Sequence, residues 1–313
     1  MCKALYVFTR ITFTAIVLVS VLHEQSIAQQ KMHFTQYMFN GLVINPAYAG
    51  TDEALSVTFI QRSQWAGIEN APSTQTLSGH TLFKQKRFGL GLTLVNDKIG
   101  VHKNLNMLSN YAYHLRVGGN AYASMGISAG VRSRKSDYAS LIGTFGNNND
   151  PKWSGQTVSH TSFDLGMGLY FRSPKFHAGI SAPELIPERI TINDTFSIQL
   201  SKKNFFVLAK YKIRLSENID GEPSVLLKYL AGVPVSFDLN MNLTFRKVLT
   251  TGLSYRKSES LDFLLKAQVT PQLQFGYAYD YPLGEVAKHS NGSHEVMAHY
   301  LFRYVQTNVT SPR

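Results

Sequence analysis

The chain has 313 residues, a formal net charge of +11 and a single cysteine. Charged residues make up only 16% of it and aromatic residues 12%, where an ordinary soluble domain carries about 25% charged residues. No apolar run beyond the N-terminus approaches the ~20 residues of a membrane-crossing helix, so a helical membrane architecture is excluded.

Residues 1–28 read as an export signal. Lys3 and Arg10 supply the positive region, residues 11–22 the apolar core, and Ser26-Ile27-Ala28 a small-x-small cleavage site. The alternative is an N-terminal membrane anchor. The mature chain is expected to start near Gln29. Cys2 lies before the apolar core, so it cannot anchor a lipid there and leaves with the signal. The remainder then holds neither a disulfide nor a thiolate metal site. The basic surplus is compatible with nucleic-acid binding, but an exported chain rarely meets nucleic acid, and a basic lumen or periplasmic rim explains it better.

Residues 29–53 form a leader without strand alternation. Phe34, Tyr37 and Met38 fall at i, i+3 and i+4, which predicts a helical turn. Asn45-Pro46 ends it, because the residue before proline avoids helical angles. Such a segment is expected to plug a barrel lumen or cap its periplasmic mouth; a disordered leader is the alternative, and the density of aromatics speaks against that.

From residue 54 the pattern changes to period two. Leu55, Val57 and Phe59 share a face, and a second strand runs near 74–83. Phe88, Leu90, Leu92 and Leu94 mark the third, and 104–115 the fourth. Ala123, Met125, Ile127, Ala129 and Val131 alternate with Ser124, Gly126, Ser128, Gly130 and Arg132 in the fifth. Phe163, Leu165, Met167, Leu169 and Phe171 mark the sixth, and 176–182 a short seventh. The eighth carries Phe205, Val207, Ala209, Tyr211 and Ile213, and the ninth Val225, Leu227 and Tyr229. The clearest case is 235–245, V-S-F-D-L-N-M-N-L-T-F, in which every second residue is apolar and every other one polar. Strands near 249–256, 261–269, 273–279 and 295–304 complete the series. The total is about fourteen, an even number as bacterial outer-membrane barrels require. Residues 190–200 fit least well and are expected to form an extra hairpin arm outside the membrane.

Connections add an independent argument. Gaps after even-numbered strands are short, whereas the long ones (135–160, 184–203 and 282–293) follow odd-numbered strands. Short periplasmic turns facing longer external loops give that parity. The polar face carries Lys210, Lys212, Arg214, Lys228, Arg246, Arg256 and Lys266, with Asp164, Asp238, Asp262 and Asp280. Charge on a lipid face costs about 2–4 kcal/mol at the bilayer midplane, so this face is assigned to the lumen. Its functional reading is an anion-selective or peptide-binding interior; its structural reading, the favoured one, is a network of ion pairs.

Chemical motifs are weak. Gly126-Ile127-Ser128-Ala129-Gly130 matches G-x-S-x-G, but that motif needs a sharp strand-to-helix turn and here lies inside a strand. The histidines are scattered without H-E-x-x-H spacing, so no metal site is expected. His294-Glu295 is assigned to the lumen or its rim.

Several stretches resemble one family. Residues 34–50 read F-T-Q-Y-M-F-N-G-L-V-I-N-P-A-Y-A-G, of which Asn45-Pro46-Ala47-Tyr48-Ala49-Gly50 is the most specific piece. Arg62-Ser63-Gln64-Trp65, Gly89-Leu90-Gly91, Val95-Asn96-Asp97-Lys98, Ser254-Tyr255-Arg256, Gly276-Tyr277-Ala278-Tyr279-Asp280-Tyr281 and Gly292-Ser293-His294-Glu295 follow in order. Together they resemble the PorP/SprF family, outer-membrane proteins of type IX secretion and gliding. The resemblance implies a non-enzymatic barrel without cofactor or metal. Its implied partners are outer-membrane lipid, the periplasmic ring and lipoproteins of the secretion system, and a secreted adhesin or the C-terminal domain of another cargo. It also implies a signature at the periplasmic end made of Asn45, Pro46, Ala47, Tyr48, Gly50, Arg62 and Trp65, structural or partner-binding. The 135–160 loop and a tail at 305–313 depart from the family pattern.

The expectation is therefore an all-β, antiparallel transmembrane barrel of about fourteen strands over 54–304, located in the outer membrane and assisting export or surface attachment of cargo. The rival is a porin-like channel for small solutes.

Overall fold

A computed structural model describes residues 34–83, 87–138, 157–186, 189–192, 196–199 and 203–302. The signal at 1–28, the leader's first residues, 139–156 of the long loop, the last residues of the final strand and the tail lie outside the described residues.

Fourteen strands close into one antiparallel barrel. The first seven are β1 (Leu55–Ser63), β2 (Ser73–Phe83), β3 (Phe88–Ile99), β4 (His102–Gly118), β5 (Ala121–Asp137), β6 (Thr157–Arg172) and β7 (Phe176–Glu184). A separate hairpin, β8 (Arg189–Ile192) with β9 (Phe196–Gln199), precedes β10 (Asn204–Tyr211) and pairs only with itself, as expected for an arm at 190–200. The two-residue β11 (Ile213–Arg214) leads into β12 (Ile219–Leu230), β13 (Ser236–Phe245), β14 (Leu249–Arg256), β15 (Ser260–Gln268), β16 (Leu273–Pro282) and β17 (Ser293–Phe302). Each wall strand pairs with its neighbours, β10 bridges β7 to β12, and β1 pairs with β17. Closure leaves no edge strand in the barrel wall to template aggregation.

The two faces are inverted relative to a soluble protein. Phe163 is 76% exposed while its neighbour Asp164 is 2% exposed. Along β13, Leu239 and Met241 point out, and Asp238, Asn240 and Asn242 are buried. Outward aromatics gather at both rims: Phe83, Phe88, Tyr113 and Phe176 at one, Tyr229, Tyr255 and Tyr281 at the other. Apolar bands flanked by aromatic girdles are the lipid-facing pattern of outer-membrane barrels.

Short connections such as 119–120, 173–175 and 246–248 share the end where β1 starts and β17 finishes. The connections at 64–72 and 283–292, the end of β5, the start of β6 and the end of β7 lie at the opposite end, among some short connections. Short turns mark the periplasmic side. Arg246 and Lys247 make one of these turns with φ of 47° and 58°.

The leader occupies the lumen. From residue 34, beside the loop end, it descends to the turn end, where it enters β1. The expected helical turn is present as a reverse turn, with Phe39 N–H bonding Gln36 O at 3.0 Å and Asn40 N–H bonding Tyr37 O at 3.1 Å. Short 3₁₀ turns follow at Gly41–Val43 and Pro46–Tyr48. Tyr37, Met38, Ile44 and Ala47 pack against inward Tyr170, Leu208, Leu226, Leu264 and Ala278. The hydrophobic core of this barrel is thus built around the leader.

Candidate functional site

The segment Asn45 to Gly50 fits the wall residue by residue. Asn45 is extended (φ −145°, ψ 115°), as a residue before proline must be. Its Oδ1 accepts from Ala47 N–H at 2.9 Å, capping the next turn, and its Nδ2 donates to Leu169 O at 3.0 Å. Pro46 and Ala47 press on Gly126, where any β-carbon would run into the Ala47 backbone. Tyr48 meets His80 and Tyr170 edge-on, with ring centroids 5.6 and 5.4 Å away. His114 Nε2–H donates to Ala49 O at 2.7 Å, and Gly50 N–H donates to His80 Nδ1 at 3.1 Å. Gly50 has φ +85° and lies against Gly89, so both geometry and space demand glycine.

The loop end holds the other half of the seat. Glu295, fully buried, accepts Thr35 N–H at 2.9 Å and Gln36 N–H at 2.8 Å. The Thr35 hydroxyl donates to Asp280 at 2.8 Å. Arg62 reaches Asp280 at 2.7 Å, Thr35 Oγ1 at 2.9 Å and Glu295 at 3.2 Å. Arg256 lies 3.5–3.8 Å from Asp262, Asp238, Glu259 and Asp280, and Lys228 binds Asp238 at 2.7 Å. Carboxylates outnumber cations in this cluster. Buried charges cost several kcal/mol each unless paired and hydrogen-bonded. The leader supplies N–H and O–H donors that Glu295 and Asp280 accept in addition to the wall cations. Burial raises the Glu259 carboxyl in its turn, although Lys228 and Arg256 pull the other way.

At the turn end a cavity of about 350 Å³ remains between the leader and the wall. Lys210 faces Glu222 at 3.6 Å and Lys212 faces Asp220 at 3.1 Å there.

The residues singled out from sequence divide by position. Lys228, Asp238, Arg256 and Asp280 meet in the loop-end cluster, and Lys210 and Lys212 line the cavity. Arg214, at the end of β11, and Arg246, in the turn after β13, are both exposed. For Arg246 this corrects the lumen assignment: β13 stops at Phe245, so the alternation cannot be carried one residue further. The signature is also split. Asn45, Pro46, Ala47, Tyr48 and Gly50 lie in the lumen toward the turn end, but Arg62 closes β1 at the loop end, and Trp65 follows it in the 64–72 loop, its N–H bonded to Ser293 Oγ at 3.1 Å. Ser128 is buried inside β5, which continues to Asp137, so it lies on no strand-to-helix turn. His294 and Glu295 point to opposite faces, His294 bonding Tyr277 Oη at 2.7 Å, so they do not form one ligand pair.

Sequence reasoning missed Thr35, Gln36, His80, His114 and the receiving glycines as parts of the seat. The small residues Gly126, Ser128 and Gly130 share one face of the fifth strand in the sequence, but nothing local says what packs on them.

Residues 26–300 match the family described as type IX secretion system membrane protein PorP/SprF. No curated protein matches the chain. Among solved structures, the Ralstonia pickettii toluene transporter TbuX is similar at 11% identity and a TM-score of 0.51, covering 84% of this chain and 93% of that one. The CymD monoaromatic hydrocarbon channel gives 13% identity and a TM-score of 0.50, covering 85% and 93%. Likeness at such identity speaks for the fold alone, and that fold is an outer-membrane barrel. With the match running over most of its length, the chain belongs to the PorP/SprF family of type IX secretion system membrane proteins.

Proposed function

We propose that the protein is a plugged, non-enzymatic scaffold of type IX secretion that assists export of a secreted adhesin or other cargo, or holds that cargo at the cell surface. One observation carries the reading: the route a solute would take is occupied by the leader, which is bonded to the wall at both ends. The protein then acts through its rims. The periplasmic turns face the secretion ring and its lipoproteins, and the loops 64–72 and 283–292 face cargo, loops being where partner choice resides.

The test is affinity purification of the full-length tagged protein from outer membranes. Ring or lipoprotein components are expected to co-purify, and cells lacking the protein are expected to lose surface display of one cargo. Unchanged display together with no co-purifying component would overturn the proposal.

A further inference from the structure

The cavity at the turn end has a chemistry that the scaffold role does not use. Its roof is the leader (Met38, Phe39 and Tyr48), and Lys212 and Asp220 stand at its mouth. Lys212 is half exposed, so the mouth meets periplasmic water. A volume of about 350 Å³ lies within the range of small-molecule sites.

The charges around it are not evenly satisfied. Lys210 has Glu222 and Lys212 has Asp220, while Asp52 lies 3.4 Å from Nε2 of His80, a neutral ring whose Nδ1 accepts Gly50 N–H. On the same wall, Lys228 and Arg256 have their carboxylates at the far end. Lys266 differs. Among the described residues no carboxylate lies within 4 Å of it, and its ammonium rests on the Phe39 ring, 4.1 Å from the centroid. A cation over an aromatic face gains about 0.5–2 kcal/mol, while a charge-assisted hydrogen bond to a carboxylate gains about 1.5–3 kcal/mol. The position therefore favours an anion brought from outside. Thr250 and Gln274 flank Lys266 with hydrogen-bonding groups, while Met38, Phe39 and Leu301 offer an apolar side.

We propose that this cavity binds a small organic carboxylate from the periplasmic side, its head on Lys266 and its apolar or aromatic body against Phe39. The site does not depend on the secretion role: a barrel that recruits no secretion component would still bind such a ligand.

Benzoate is the probe, titrated calorimetrically into the full mature chain in detergent micelles. Saturable binding is expected. Lys266→Met weakens it at least about tenfold, the loss of one charge-assisted contact, whereas Lys266→Arg stays within about threefold. Benzyl alcohol, of the same shape without the charge, shows no saturable heat. Phe39→Leu reduces the preference for benzoate over acetate. Heat-modifiable gel migration checks that each variant is folded; should Lys266→Met not fold, the benzyl alcohol and Lys266→Arg results decide. Unsaturable benzoate heat, equal binding of benzyl alcohol, or indifference of a folded Lys266→Met variant would each overturn the site.

Discussion

Glu295 joins the leader to the wall by accepting two successive backbone N–H groups, and it pairs with Arg62 on the neighbouring strand. Its replacement by alanine leaves Arg62 with Asp280 and the Thr35 hydroxyl, and strips the Thr35 and Gln36 backbone N–H groups of their acceptor. Breaking a buried pair costs about 3–5 kcal/mol. Glu295→Ala is therefore expected to lower the thermal unfolding midpoint in detergent and to expose residues 34–40 to protease. Glu295→Gln keeps an acceptor oxygen and should fall between that variant and the parent. Identical midpoints for all three would refute this account of the seat. Gly126→Val tests the other end, since its side chain must displace Ala47; overpacking of about 1–3 kcal/mol is expected, read as leader cleavage by protease without loss of the folded barrel. These contacts were not legible in the sequence. Alternation told which way Arg62, Asp280 and Glu295 point, but their partners are 218 and 233 residues apart in the chain. Only barrel closure through β1 and β17 brings them together.

At the scale of the element, the leader was recognisable because it breaks the period-two pattern and carries a proline stop. Its turns were readable for the same reason: they are local. Its place was not, because that depends on side chains from several strands, each contributing one or two polar or small residues with no signal of their own. The physical test is removal. Wall closure uses strand-to-strand hydrogen bonds, none of which involve 34–50, so the shortened chain should still insert and migrate as a folded barrel. It should be less stable, because Tyr37, Met38, Ile44 and Ala47 leave the core. Single-channel recording distinguishes the readings of function: the parent is expected to be electrically silent and the chain lacking 34–50 to carry a stable current. If the parent already conducts, the occluded scaffold gives way to the solute channel. If the signature serves partner binding, this deletion also abolishes association with the secretion machinery. Since the leader is buried, such a loss would arise through the rim it braces rather than through its own surface.

The molecule as a whole is ordered by the solvent that each face meets, and two adjacent residues put this to the test. Leu265 and Lys266 are neighbours on β15, yet Leu265 is 46% exposed on the outside while Lys266 faces the lumen cavity. The sequence sufficed for this, because period-two alternation survives any register as long as the strand is unbroken. It failed at Arg246 for the same reason, since the strand had already ended. If hydrocarbon surrounds the barrel, an added cation at 265 must be desolvated or drag water into the bilayer, at about 2–4 kcal/mol near the midplane. Leu265→Lys is thus expected to lower unfolding stability in phospholipid vesicles by that amount, measured by denaturant titration. The double variant Leu265→Lys, Lys266→Leu keeps composition and net charge constant. It isolates the direction of the charge, and it should be no more stable than the single variant. Were water to surround the outside instead, the exposed lysine would be tolerated within about 0.5 kcal/mol, as surface substitutions usually are, and the transmembrane assignment would fall.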